Sequence, residues 1–198
     1  MQGERSLSDI VKTLKETKSL EERRRILFIL TKEEKQALYS ELYFEEGRKV
    51  GISLYNGFIR KGIEYARWLS PEYTLAYLYI KKLKCKRVLE LGCATGGFVK
   101  VLRRLGIEAY GIDISSYTVS KADVDVRSFL YNIDVETEDI PFPEEYFDMI
   151  IAIETLEHLA NITFALNNLK RVLKVGGFLF ITVPKPQGVL DDITHVNL

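Results

Sequence analysis

Cysteine is scarce in this chain, with only Cys85 and Cys93 among 198 residues. That excludes a disulfide scaffold, and because no cluster of histidine or cysteine accompanies either one, no metal site is expected. An excess of charge of one sign is also missing, since 28 Lys and Arg balance 28 Asp and Glu. The chain as a whole therefore offers no electrostatic case for nucleic acid or a membrane surface. No apolar run reaches the ~20 residues that span a bilayer, and no secretory leader is evident. These absences lead to the expectation of a reduced, soluble, cytoplasmic protein. What is present is 46% apolar content, enough for a core rather than disorder, in one domain with an extension. The neutral total hides an asymmetry, with 19 basic and 13 acidic side chains in residues 1–90 against 9 and 15 in residues 91–198.

Residues 88–97, Val-Leu-Glu-Leu-Gly-Cys-Ala-Thr-Gly-Gly, read as a buried strand, a glycine-rich turn and the start of a helix. Val88, Leu89 and Leu91 supply the strand's apolar run, and Phe98, Val99, Val101, Leu102 and Leu105 continue at helical spacing. Gly92 and Gly96 let a ligand approach the main chain, and the free N–H groups at the helix start suit a carboxylate or phosphate. Cys93, inside the turn, reads as a small buried hydrophobe rather than a nucleophile. Gly92-x-Ala94-x-x-Gly97 also fits a loose dinucleotide fingerprint, so at this point a nicotinamide site and other adenosine cofactors both stand.

Three later segments follow at matching intervals: Ala109 to Ser115 with Asp113, Asn132 to Pro143 with Asp134, and Phe147 to Leu159, after which Leu169 to Pro184 completes the set. Together with residues 88–97 they resemble the class I S-adenosylmethionine-dependent methyltransferases, in particular the group that includes quinone-biosynthesis enzymes, over roughly residues 85–198. Ala94 replaces the usual middle glycine of that family's signature. The resemblance implies S-adenosyl-L-methionine as cofactor and S-adenosyl-L-homocysteine as product. It places Glu90, Gly92, Cys93, Ala94 and Gly96 at the cofactor turn, Asp113 on the ribose hydroxyls, Asp134 on the adenine amino group with Glu136 its close competitor, and Ile153 at the end of the fourth strand. Ile114 and Val135 could sandwich the adenine. Carboxylates, main-chain donors and apolar walls suit a sulfonium cofactor, which needs no pyrophosphate clamp. A general base for a hydroxyl acceptor would come from Glu154, Glu157 or His158, with His158 and Glu154 the named candidates and His195 of similar standing.

The expected fold is α/β, a Rossmann-like parallel sheet of order 3-2-1-4-5 flanked by helices, with an all-helical N-terminal extension. Strands are expected near 87–91, 107–113, 126–133, 147–153 and 177–184, and helices near 97–105, 115–123 and 161–173. The domain reading is a helical cap or lid over 1–70 and a C-terminally short cofactor-binding domain over 71–198. Ser6-x-x-Asp9, Ser19-x-x-Glu22 and Thr31-x-x-Glu34 mark three helix starts, and Ser70-Pro71-Glu72 a fourth. Between them lies a glycine-punctuated aromatic segment, Tyr43, Phe44, Tyr55, Phe58, Tyr65 and Trp68, expected to be broken or bent. Those aromatics serve as the helical layer's core, or as a lid with Tyr55, Arg60 or Trp68 reaching the substrate. The family continues beyond the fifth strand, so that strand is expected as an exposed edge, met by a homodimer partner or by the N-terminal helices. The function expected is methyl transfer to a small-molecule acceptor. The alternatives are an RNA or protein methyltransferase using Arg23-Arg24-Arg25, and a non-catalytic module binding the cofactor or its product. A nicotinamide dehydrogenase is disfavoured by the acid after the third strand and by Lys174-Val-Gly-Gly177.

Overall fold

A computed structural model describes residues 5–61, 70–184 and 192–196. The chain opens with three short helices, α1 (Leu7–Glu16), α2 (Leu20–Phe28) and α3 (Lys32–Leu38). Each starts where a hydroxyl accepts an otherwise orphaned amide: Ser6 from Asp9, Ser19 from Glu22 and Thr31 from Glu34. Only the third closes a reciprocal capping box, with the Glu34 carboxylate accepting the Thr31 N–H at 2.9 Å. The aromatic segment then bends as its glycines foretell. A π-helical turn over Leu42–Glu46 leads into α4 (Gly47–Val50), which stops at Gly51 with φ of 65°. Tyr65 and Trp68 lie outside the described residues.

After α5 (Pro71–Leu83) the chain alternates through β1 (Arg87–Leu91), α6 (Gly97–Arg104), β2 (Glu108–Asp113), α7 (Ser116–Ser120), β3 (Leu130–Asn132), β4 (Phe147–Ile153), α8 (Ile162–Val172) and β5 (Leu173–Thr182). The five strands form one sheet of order β3-β2-β1-β4-β5, every pairing parallel. This is the Rossmann-like sheet expected, and it aligns the carboxyl ends of β1, β2 and β4 where ligands bind such sheets. Each face is covered by apolar packing, by α5 and α6 through Ala76, Ile80, Phe98 and Leu102 and by α8 through Ala165, Leu169 and Val172.

Two strands depart from expectation. The third is shorter, because Arg127–Phe129 closes as a 3-10 turn, in which Phe129 N–H donates to the Val126 carbonyl at 2.9 Å instead of joining the ladder. The fifth begins earlier, because Leu173 already pairs with Phe147 and a register shift there absorbs Gly176, whose φ is 76°.

The N-terminal helices do not cover β5 among the described residues. They build a third core, with Leu14, Leu38, Tyr43 and Phe58 packed against Ala160, Ile193 and Val196 above the carboxyl ends of the strands. Among the described residues β5 keeps a free edge, with Val175 88% exposed and Val183, just past the strand, 51% exposed. No helix among the described residues is long and apolar enough to cross a membrane.

Candidate functional site

The turn after β1 is held open by backbone that most residues avoid. Gly92 has φ of 75°, its N–H donates to the Ile112 carbonyl at 2.8 Å, and a Cβ there would lie 2.2 Å from Thr155 Oγ1. Ala94, where the family signature has glycine, also takes a left-handed φ, 49°, which costs an L-residue about 1–2 kcal/mol. The strain has a product: the Ala94 N–H faces β2 and donates to Asp113 Oδ2 at 2.8 Å, while Ser115 N–H donates to Oδ1 at 2.8 Å. Asp113 is thereby fixed between the tips of β1 and β2. Burial raises its pKa to about 6, against the pull of those two backbone bonds.

A cavity opens over these strand tips. Its floor is formed by Gly92, Ala94, Asp113, Ile114, Asp134 and Val135, and its far wall by Ile153, Glu154, Thr155 and His158. The roof comes from the N-terminal layer through Lys35, Tyr39, Tyr43, Phe44, Tyr55 and Phe58. These aromatics therefore serve both readings, since Tyr43 and Phe58 are also fully buried members of the helical core.

The remaining expected residues fall outside the lining. Glu90 is buried beneath the turn and accepts the Tyr73 hydroxyl at 3.1 Å. Cys93 packs in the core against Gly111, where an added Cβ would meet its sulfur at 2.6 Å, and burial pushes its thiol well above the ordinary range. Gly96 supports the turn from behind, since a Cβ there would strike Leu130 at 2.6 Å. Arg60 is ion-paired with Glu45 and Glu46 and stays at the surface. The Arg23-Arg24-Arg25 run is largely engaged within the fold: Arg23 donates to the Thr17 carbonyl, Arg24 to the Ala160 carbonyl, and Arg25 pairs with Glu21.

Some site residues gave no local signal. Lys35 reaches Asp134 and Glu136 from α3, at 3.0 and 2.7 Å. Thr194 Oγ1 lies 2.8 Å from His158 Nδ1, Tyr43 OH donates to Asp192 at 2.6 Å, and the His158 and His195 rings stand 4.6 Å apart. One ligand-type atom each of Glu157, His158 and His195 falls within 4.8 Å of the others, a juxtaposition that spacing along the chain does not disclose.

The Rossmann-like sheet carries an acid at the tip of β2 and a second acid after β3, the arrangement that the resemblance to class I methyltransferases leads one to expect. Residues 89–181 match the family model described as "Methyltransferase domain". It is 30% identical over 107 residues to a ubiquinone biosynthesis O-methyltransferase of Bradyrhizobium, covering 52% of this chain and 42% of that protein. Over 123 residues it is 31% identical to the 27-O-demethylrifamycin SV methyltransferase of Amycolatopsis mediterranei, covering 56% of this chain and 44% of that one. The chain thus spans less than half the length of these curated relatives. Among solved structures, the PH0226 protein of Pyrococcus horikoshii is 28% identical, with a TM-score of 0.52 over 63% of this chain and 60% of that one. An S-adenosylmethionine-dependent methyltransferase of Archaeoglobus fulgidus, 19% identical with a TM-score of 0.54 over 70% of this chain and 67% of that one, shares the fold.

Proposed function

We propose that this protein is an S-adenosylmethionine-dependent methyltransferase acting on a hydroxyl of a small-molecule acceptor. The observation behind the reading is the cavity itself, with carboxylates of Asp113 and Asp134, the open backbone at Gly92 and apolar plates from Ile114 and Val135 meeting in one place. That donor set fits an adenosyl sulfonium. Among the described residues the cavity lining holds four acids, Asp113, Asp134, Glu136 and Glu154, and one lysine, Lys35, which is engaged by carboxylates rather than open to a pyrophosphate. When bound, the cofactor supplies an electrophilic methyl group, so most of the protein's task is placement. In this reading Asp113 receives the ribose hydroxyls, Asp134 the adenine amino group, and the backbone at Gly92 and Ala94 meets the amino-acid tail. Ile153 and Glu154 border the reacting end. His158, oriented by Thr194 at 2.8 Å, takes the acceptor's proton as general base. The aromatic roof encloses the acceptor and excludes water.

A small acceptor suits a cavity roofed by Tyr39, Tyr55 and Phe58, and the internal bonding of Arg23 and Arg24 removes the best support for an RNA acceptor. We also infer a cytoplasmic location, since both cysteines are buried and unpaired, and a homodimer formed through the free edge of β5.

Calorimetry with S-adenosylhomocysteine and NADH, followed by a panel of phenolic and aliphatic hydroxyl acceptors, tests the assignment. Uptake of the sulfur nucleoside alone, with turnover on one acceptor class, is expected. Binding without turnover on any acceptor would turn the reading to a non-catalytic module, and no binding by folded protein would end it.

A further inference from the structure

Lys35 is a lysine in an uncommon place. It stands on α3, is only 5% exposed, and lines the cavity together with Asp134 and Glu136. Its ammonium lies 3.0 Å from Asp134 Oδ2 and 2.7 Å from Glu136 Oε2. The position is fixed from several sides. On α3, Lys32 pairs with Glu138 at 2.6 Å and Gln36 donates to Asn132 Oδ1 at 2.6 Å. In the loop, Asp134 Oδ1 accepts the Glu136 N–H at 3.1 Å and Glu136 Oε1 accepts the Asn161 N–H at 2.5 Å. The helix and the loop after β3 are therefore docked as a unit, and the ammonium cannot swing to solvent without breaking that contact.

An ammonium has three donors, and two are directed at these carboxylates. Each carboxylate oxygen has two acceptor sites, so Asp134 Oδ2 can accept a second bond. The cavity wall thus presents a cationic donor and an anionic acceptor 3.0 Å apart, beside the apolar plates Ile114 and Val135. The Watson–Crick edge of adenine is the complement of such a pair: an exocyclic amino group that donates, next to a ring nitrogen that accepts. Hypoxanthine reverses both signs, placing a carbonyl oxygen toward the carboxylate and an N–H toward the ammonium.

We propose that Lys35 is a specificity residue for the nucleoside, donating to the adenine ring nitrogen N1 while Asp134 takes the neighbouring amino group. The N-terminal helical layer is then part of the cofactor site and not only a roof over the acceptor. This inference rests on the cofactor reading above and adds to it a base-reading pair drawn from two separate parts of the chain.

The test is calorimetry on the intact protein with S-adenosylhomocysteine, its 1-deaza analogue, in which N1 is a C–H, and S-inosylhomocysteine. Wild type is expected to bind the 1-deaza compound about 10- to 100-fold more weakly, the range for a lost hydrogen bond to a charged group, and the inosyl compound more weakly still, because both polar groups are mismatched. Lys35→Met should bind S-adenosylhomocysteine at that weakened level and lose nothing further with the 1-deaza analogue. If Lys35→Met fails to fold, the wild-type comparison decides alone. Equal wild-type affinity for the adenosyl and 1-deaza compounds would overturn the role of Lys35 and leave the cofactor reading standing. Binding of none of the three would instead remove the cofactor reading, and this inference with it.

Discussion

Thr155 Oγ1 occupies the space in which a side chain at Gly92 would begin, 2.2 Å from the position of an added Cβ. The same hydroxyl hydrogen-bonds the Leu91 carbonyl at 3.2 Å and the Ile153 carbonyl at 3.0 Å, so it ties the ends of β1 and β4 together and cannot simply rotate away. Gly92→Ala therefore meets a steric clash and a left-handed φ at once. The expected loss is about 2–4 kcal/mol, or roughly 5–15 °C in Tm, with cofactor affinity falling further. Gly92→Ala combined with Thr155→Ala should regain most of the stability, which differential scanning calorimetry would register.

Asp113 gives a pH-dependent signature. Its carboxyl is raised from 3.8 to about 6 by burial, so in the unliganded protein its stabilising contribution is complete below pH 3.8 and is lost as pH rises through about 6. Ribose hydroxyls favour the ionised carboxylate and repay that loss. The rise in Tm caused by saturating S-adenosylhomocysteine should thus be larger at pH 7.5 than at pH 5, with the change centred near pH 6. In Asp113→Ala the affinity should drop 10- to 100-fold and this pH dependence should vanish. A thermal shift of constant size from pH 5 to 7.5 in wild type would contradict the role given to Asp113.

The parts of this architecture that could be read from the chain are those written locally. Val88 to Gly97 encodes strand, turn and helix within ten residues, and the later strands repeat that grammar, so the alternation of strand and helix follows from short-range pattern, while the place of Asp113 at the tip of β2 comes with the family resemblance. The lengths of β3 and β5 follow from neither, because a 3-10 turn at Arg127–Phe129 and a register shift opposite Phe147 depend on partners elsewhere. Lys35 shows the limit most plainly. On α3 it is one charged residue among four in a seven-residue helix, and only docking against a loop about a hundred positions away makes it a buried partner of Asp134. Thr194 and His195 acquire their relation to His158 in the same way.

His158 is braced on one side by Thr194 and faces the Tyr39 ring at 5.9 Å. If it is the base, His158→Ala should lower kcat on a hydroxyl acceptor by 10²- to 10⁴-fold and leave S-adenosylhomocysteine affinity within about twofold. Thr194→Val should keep the imidazole but loosen its orientation, for a smaller loss in kcat. The decisive measurement is the kcat profile against pH, whose acidic limb should disappear in His158→Ala. A variant profile superimposable on that of wild type would assign the proton to water or to another group.

The free edge of β5 leads to a prediction about assembly. Ten residues, Leu173–Thr182, offer one row of backbone groups to β4 and another outward, with Phe178, Leu179 and Ile181 each about 40% exposed. Lys174 is the only charge along this strand, so little discourages pairing with another edge. Charge also favours a second copy in antiparallel register. The Lys174 ammonium stands at the amino end of the strand, paired with Asp148, whereas Glu72 and Glu154 lie beside its carboxyl end near Thr182. A two-fold axis through the edge sets basic end against acidic end on both sides and extends the sheet across the junction. Light scattering on eluted protein should therefore give twice the chain mass at tens of micromolar, and Ile181→Lys should halve it without lowering Tm by more than a few degrees. A monomeric mass for wild type at that concentration would leave the edge unpaired and refute the assembly.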